Sequence, residues 1–600
     1  MRILGLSGFY HDSAAALVAD GRVVAAAQEE RFSRRKGDAS FPQQAVRSCL
    51  ACAGLETGDL DAVVFYDKPV VSFERLISSH LHCAPFGLRG FLRAIPLWIG
   101  GKLWVEDRIG RETGFRGNVL FVRHHQSHAA SAFYPSPFES AAVVTLDGVG
   151  EWDTTTIGRG AGSRLDLLRS IRFPNSLGLL YSAFTQYCGF RVNSGEYKLM
   201  GLAPYGVPRY ARAIQKELIL FGEDGSYALN TRYFDFVGGL SMIRHRRFAE
   251  LLGRPARALD TPPDEHAMDV AASIQQVIEE AVVRIAREAR RLTRERHLVM
   301  AGGVALNCVA NTKVIEQAGF DAVWVQPAAG DAGGALGAAL YAAHALFGEQ
   351  RSALTDAGHC LAFLGPEYSD EEAARTLNEM GAVFDHVSDS ELFSSLAREL
   401  ARGRVVGWFQ GRMEFGPRAL GNRSILADPR RPEMRDDLNR RIKFRESFRP
   451  FAPAVPAEDA SRWFALDEPS PHMLRVAAVR SGPGGGEEVQ AGSKPRQGPL
   501  PAVTHVDGSA RVQTVDKASN PRFHALLKAF GEVTGCPVLV NTSFNVRGEP
   551  MVSTPADAYR CFLGSGIDIL VIGNLWLDKE RQPTESERHL EEWKRNHGAD

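Results

Sequence analysis

One arrangement occurs twice in this chain, and it limits the fold more than any other feature. The first copy runs Ile3-Leu-Gly-Leu-Ser-Gly8, then the polar turn His11-Asp-Ser13, then Ala14 to Gln28 with Asp20-Gly21 at its middle. The second runs Ala142-Val-Val-Thr-Leu-Asp147, a turn with Gly148 and Gly150, Thr154-Thr-Thr-Ile-Gly-Arg159, and a return strand from Leu165 to Phe173. Each reads as a strand, a polar or glycine turn and a hairpin, and Asp-Gly suits a type I′ turn. Two such halves predict an α/β fold in which paired turns offer backbone N–H groups to an anion. A helix follows from Glu265 to Leu292, with apolar residues such as Val270, Ile274, Val277, Ile278 and Ile285 at helical spacing. A short buried strand, Leu298–Met300, then opens into Ala301-Gly302-Gly303-Val-Ala-Leu-Asn307. Glycines at a strand-to-helix turn let a ligand come close to the backbone.

The chemistry concentrates in Arg123-His-His-Gln-Ser-His-Ala-Ala-Ser-Ala-Phe-Tyr-Pro135. His124 and His128 stand four apart, so on a helix their imidazoles share one face and can grip one divalent metal. Asp147 and Asp331 are expected at strand ends running into glycine turns, and two histidines with two carboxylates make a candidate active centre. On a helix His125 is turned about 100° from His124 and is expected to pack or hydrogen-bond.

Bulk composition excludes several roles. Basic and acidic residues number 70 and 71, which removes any global electrostatic case for nucleic acid or an anionic surface. The most apolar stretch, Leu88 to Val105, is broken by Arg89, Arg93, Pro96 and Lys102 and cannot span a bilayer; an amphipathic lid or partner surface is expected there. The N-terminus carries no signal-peptide pattern, and eight cysteines in 600 residues fit a reducing cytoplasm. Cys49 and Cys52 are expected to pack within a helix.

A second domain follows a transition over 351–394. It begins with a strand at Val405 to Gln410 and carries four blocks: Gly411 to Leu426, Arg440 to Pro453, Thr504 to Thr514 and Val538 to Pro550. Arg418, Lys443, Arg449, Arg511 and Arg547 sit among Gly, Pro and Phe, as befits an anion-receiving pocket. Residues 481–501 read as a Gly/Pro loop, and 585–600 as a charged helical tail.

These motifs together resemble the O-carbamoyltransferases of antibiotic and nodulation-factor biosynthesis, of the tobramycin and cephamycin type. The likeness rests on Phe9-Tyr-His-Asp-Ser-Ala14, Gln28-Glu-Glu-Arg-Phe-Ser-Arg34, the histidine motif, Leu146-Asp-Gly-Val-Gly-Glu151, Gly195 to Gly206, the glycine pair and the four C-terminal blocks. It implies a duplicated actin-like, threonylcarbamoyl-transferase-like domain over 1–350. A threonylcarbamoyl-AMP-synthase-like α/β domain would follow over 395–580, with a charged tail at 581–600. It further implies that carbamoyl phosphate and ATP, with Mg, give carbamoyl adenylate in the second domain. The carbamoyl group then passes to a small-molecule hydroxyl at a metal in the first. That metal is Fe(II) by family, although Zn or Mn suits the ligands equally.

Carried over residue by residue, His124, His128, Asp147 and Asp331 are the implied metal ligands. His11 is the implied base on the acceptor hydroxyl, with Asp12, Lys36, Glu151 and Asp269 near acceptor or phosphate. Asp147, Gly148, Gly302, Gly303 and Asn307 fall at the nucleotide turns. Arg418, Lys443, Arg449, Arg511, Asn545 and Arg547 match the site for carbamoyl phosphate and ATP. No nucleic-acid partner is expected, and a homodimer is compatible with the sequence. Two rivals stand beside this reading: threonylcarbamoyl transfer to tRNA, and an actin-like ATPase or regulator that transfers nothing. An aminoglycoside, a macrolactam, a glycan and a toxin alcohol all stay open as acceptors.

Overall fold

A computed structural model describes residues 1–84, 87–259, 261–351, 361–482 and 498–583. Most of the expected 481–501 loop and the whole 585–600 tail lie outside them. The chain divides into two compact units, Met1–Glu29 with Ala39–Thr355 and Glu30–Asp38 with Asp356–Asp600. The break near 355 lies close to the expected 350. The short segment Glu30–Asp38, expected within a continuous 1–350 domain, instead groups with the second unit.

The first unit contains two five-stranded sheets of the same design. In one, Arg2–Ser7 pairs antiparallel with Ala14–Ala19 and parallel with Ala62–Phe65, with Arg22–Gln28 and Val119–Phe121 at the edges. In the other, Ser140–Gly150 pairs antiparallel with Asp153–Ala161 and parallel with His297–Ala301, with Arg164–Arg172 and Ala322–Val325 at the edges. This is the duplicated actin-like arrangement that the repeated motif predicts. Asp20 and Gly21 both take positive φ, 50° and 73°, as a type I′ turn requires. The predicted long helix runs Glu265–Thr293, capped by the Asp264 carboxylate, which accepts from Ala267 N–H.

Two helices exchange halves. His124–Phe133, reached from the first sheet, packs on Ser140–Gly150 and His297–Ala301 of the second. Asp331–Tyr341, reached from the second sheet, packs on Arg2–Ser7 and Ala14–Ala19 of the first. The pair also pack on each other. A Cβ at Gly337 would overlap the Ser127 carbonyl, so glycine sets how closely the two backbones approach. Apart from Gln126, every residue of the first helix is buried, and all but Tyr341 of the second are too.

The second unit is built on an eight-stranded mixed sheet covered on both faces. Strand Ile569–Ile572 alternates between two cores, as a period of two demands: Leu570 and Ile572 face one, Ile569 and Val571 the other. Helices Asp370–Glu379 and Pro555–Gly564 contribute to the first core. Asp389–Ala401 and Pro521–Thr534 contribute to the second.

Candidate functional sites and family membership

Two structural devices bring distant ligands to one point in the first unit. The helix His124–Phe133 presents His124 and His128 one turn apart, their Nε2 atoms 3.0 Å from each other. Asp147 was expected at a strand end, but its strand runs on to Gly150, with the ladder register shifting between Leu146 and Gly150. That irregularity turns the Asp147 carboxylate onto His124 Nε2 at 3.1 Å. Asp331, also expected at a strand end, is instead the first residue of the helix Asp331–Tyr341, where a carboxylate complements the helix dipole. Its Oδ1 lies 3.5 Å from His128 Nε2 and 3.7 Å from His124 Nε2.

One ligand atom from each of His124, His128, Asp147 and Asp331 lies within 4.8 Å of all the others. His128 is fully buried and Asp331 is 2% exposed, while Asp331 Oδ1 and His128 Nδ1 make no hydrogen bond. Buried imidazoles facing each other and an unsatisfied carboxylate oxygen are costly unless a cation lies among them. The donor set, two nitrogens and two oxygens, fits a divalent transition metal. Burial opposes charge on His124, but its hydrogen bond to Asp147 and the nearby Asp331 push it up to about 10. Asp147 responds in the opposite sense: burial raises it, and the two histidines hold it well below the usual carboxylate range.

Around this cluster the other expected residues divide. His11 faces the centre, its Nε2 3.7 Å from Asp331 Oδ2, and its Nδ1 pairs with Asp12 at 3.0 Å. Burial lowers His11, yet Asp331 and Asp12 outweigh it and push the ring up to about 9. Gly303 N–H donates to Asp147 Oδ1 at 2.9 Å, so the glycine turn positions a ligand carboxylate. Gly302 has φ 93°, and any Cβ there would strike the Leu146 carbonyl. Gly148 accepts from Ser176 Oγ through its carbonyl at 2.6 Å.

Glu151, Asp269 and Asn307 bind protein groups. Glu151 accepts from the His124 and Lys68 backbone N–H groups, each at 3.0 Å, and so caps the helix His124–Phe133; burial and the Asp67 carboxylate push it up to about 8. Asp269 accepts from Val207 N–H at 2.7 Å and pairs with Arg209 at 3.2 Å. Asn307 caps the helix Cys308–Gln317 and exchanges two hydrogen bonds with Gln275. His125, as expected, is internal: Nδ1 meets Thr145 Oγ1 at 2.6 Å and Nε2 donates to the Asp153 carbonyl at 2.9 Å. Burial pushes it down to about 3.

Sequence reasoning missed Tyr66, whose buried hydroxyl donates to Asp331 Oδ2 at 3.4 Å. Its signal was available: Tyr66 follows the strand Ala62–Phe65, at the carboxyl end of a parallel strand where α/β ligands gather.

The second unit gathers cations. Lys443 is 4% exposed, and its ammonium donates to Asn545 Oδ1 at 2.9 Å, Asn545 O at 3.0 Å, Ser543 Oγ at 3.2 Å and the Ser543 carbonyl. These partners are neutral. Burial, with Arg445, Arg449 and Lys36 nearby, holds the amine well below the usual lysine range. Arg547 reaches the Phe444 carbonyl at 3.4 Å, and Arg449 lies 3.8 Å from Glu446. Arg418 stands in the loop before Arg423–Ala427, and Arg511 ends the strand Ser509–Arg511.

Lys36, expected near acceptor or phosphate, rides on the segment Glu30–Asp38, and its charge acts on Lys443. Arg31 and Arg34 moor that segment, donating to Gly416 O at 2.7 Å, Met551 O at 2.6 Å and Pro550 O at 3.0 Å.

Comparison with known proteins accounts for both halves. The family model described as carbamoyltransferase N-terminus matches residues 2–340, and that described as carbamoyltransferase C-terminus matches 397–579. A Synechocystis protein with no activity in its name is 50% identical across 97% of each chain. Nodulation protein NolNO of Sinorhizobium fredii is 37% identical over 95% of this chain and 79% of its own. The 3'-hydroxymethylcephem-O-carbamoyltransferase of Streptomyces clavuligerus is 35% identical over 52% of this chain and 54% of its own. The chain belongs to the carbamoyltransferase family.

Proposed function

We propose that this enzyme carbamoylates a hydroxyl of a small-molecule acceptor, with carbamoyl phosphate as donor and ATP as activator. The observation that carries the reading is the pairing of two oppositely charged centres, one in each family-matched half. A four-ligand N/O cluster occupies the first unit, and a buried lysine with neutral partners occupies the second.

In the second unit water cleaves carbamoyl phosphate to carbamate and phosphate. A carbamate oxygen then attacks the α-phosphorus of ATP, breaking its bond to the β-phosphate bridge and giving carbamoyl adenylate and pyrophosphate. Lys443, held by Asn545 and Ser543, is poised to exchange neutral acceptors for phosphate oxygens, an exchange that relieves the cost of burying its charge. Arg547, Arg449, Arg418, Arg511 and Lys36 add charge against the departing groups.

In the first unit His124, His128, Asp147 and Asp331 would hold the metal, with Fe(II) implied by family and Zn(II) or Mn(II) suited to the same ligands. Such a metal supplies Lewis acidity toward the carbamoyl or phosphate oxygens. His11 stands beside Asp331, where it can take the acceptor proton, and Asp12 on its other nitrogen fixes the tautomer. Asp331 and Asp12 raise the ring, and a cation held by Asp331 and Asp147 would lower it toward the range in which it can accept a proton. Tyr66 fixes the Asp331 carboxylate. Gly303 N–H and the cap that Glu151 places on the metal helix hold the remaining ligands in register.

The test is an assay with Fe(II)-loaded protein, ATP and carbamoyl phosphate, with and without a panel of polyols. AMP and pyrophosphate that require carbamoyl phosphate, and a carbamate ester on one panel member, are the expected products. ADP as the only nucleotide product, or AMP release indifferent to carbamoyl phosphate, would overturn the reading.

A further inference from the structure

The region around the helix Leu88–Leu97 is apolar where proteins are usually polar. Leu88, Leu92 and Leu97 are 62, 63 and 65% exposed, and just beyond them Ile99 and Trp104 are each 54% exposed. Single exposed leucines are ordinary; five such side chains within one stretch of helical turns mark an interaction surface. The helix is turned outward by its own glycines. A Cβ on Gly90 would lie 2.9 Å from the Gly238 carbonyl and one on Gly87 at 2.5 Å, so backbone packs on backbone on the inner side. The outer side carries Leu88, Arg89, Leu92, Arg93, Pro96 and Leu97.

Charge identifies the partner. From Arg75 through Val105 the sequence has no aspartate or glutamate, and acids resume only at Glu106 and Asp107. Arg89 and Arg93 are exposed one helical turn apart among the leucines. A second copy meeting this face across a two-fold axis would set arginine against arginine. An anionic lipid surface meets both needs, taking the leucines and tryptophan at the level of the headgroups and the arginines against phosphate.

The segment also borders the metal centre. The Lys102 ammonium lies 5.6 Å from the ring centres of both Tyr10 and Trp98, and the Tyr10 ring lies 4.9 Å from that of His11. We propose that Leu88–Trp104 seats the enzyme on an anionic lipid surface, beside the mouth of the His11 and metal site. This does not rest on the carbamoyl-transfer reading, because docking is measured without turnover.

The experiment is co-sedimentation of the full-length protein with phosphatidylcholine vesicles, either pure or containing about a third phosphatidylglycerol. Binding to the anionic vesicles that weakens with salt is expected, with little binding to the neutral ones. Arg89→Gln with Arg93→Gln should weaken binding about thirty-fold, since each basic residue near such a surface contributes about 1 kcal/mol. Leu92→Asp with Leu97→Asp should abolish it. All four positions are exposed, so circular dichroism and thermal melting of the variants should match the parent. Absence of binding to anionic vesicles at low salt would overturn the proposal, as would binding unchanged in both variants. Self-association removed by Leu92→Asp, without vesicle binding, would assign the face to a second copy instead.

Discussion

The two charged centres solve opposite problems. The first unit buries two histidines and two carboxylates that the protein leaves partly unsatisfied, an arrangement that a cation would complete. The second buries a lysine and satisfies it fully, but only with neutral oxygens from Ser543 and Asn545. An unsatisfied acidic cluster binds tightly and keeps its ion. A cation satisfied by weak partners can give them up to an anion and take them back, as a site that turns over substrate must. The proposed division, a resident cation in one unit and a passing phosphate in the other, would exploit that difference.

The sharpest way to break the comparison is to remove a metal ligand. His128→Ala should lower transfer to the acceptor about a thousandfold or more, with metal content per chain falling in step by elemental analysis. Carbamoyl-phosphate-dependent pyrophosphate release, the leaving group of the adenylation step, should survive it in a single turnover, while AMP falls with transfer. Chelation of the parent protein should reproduce the same split. Pyrophosphate release lost together with metal would mean that the two centres are not chemically separate.

The reciprocal change is Lys443→Ala. Here AMP and pyrophosphate release should fall about a hundredfold or more, the cost of removing one positioned charge from developing phosphate, while metal content stays at the parent level. Because the lysine is buried, Lys443→Gln should accompany it, which keeps hydrogen-bond donors to Asn545 and removes only the charge. Activity retained in the glutamine variant would reduce Lys443 to a structural group.

How much of this the sequence made legible depended on whether a contact was local. The strand–turn–hairpin copies and the long helix stand close to where periodicity and turn chemistry put them, because those signals are short-range. His124 and His128 were visible as a pair for the same reason. The exchange of helices between the two sheets was not visible, since it depends on pairing between residues far apart in sequence. Nor was the setting of Asp331, expected at a strand end but standing at the first position of a helix. Tyr66 carried a local signal, its place just past a strand end, but its pairing with residue 331 is long-range and no local pattern reports it. Lys36 was matched by motif, but it travels with the second unit: Arg31 and Arg34 bind carbonyls hundreds of residues away, and no spacing rule reports that.

A smaller effect separates metal ligand from metal neighbour. His125 adjoins His124 in sequence, yet both its ring nitrogens are bonded internally, to Thr145 and Asp153. His125→Ala should cost about 3 kcal/mol of unfolding free energy by denaturant titration, from a cavity and two stranded polar partners. Metal stoichiometry should stay at one ion per chain. Metal loss in a variant that folds with parental stability would make His125 part of the centre.

The smallest expected effect asks whether the first unit holds a nucleotide at all. The family pattern places Asn307 at a nucleotide turn, but its side chain accepts from Ala310 N–H at 3.1 Å and exchanges hydrogen bonds with Gln275. A residue so engaged acts as a helix cap, and Asn307→Ala should cost about 1 kcal/mol of stability. Nucleotide turnover should change less than about threefold, since a cap lost at one helix end leaves the remote lysine and arginines untouched. A tenfold or greater rise in the KM for ATP at unchanged stability would give the opposite answer. It would place a nucleotide in the first unit and set aside the division of labour drawn above, with phosphate chemistry on both sides of the chain rather than one.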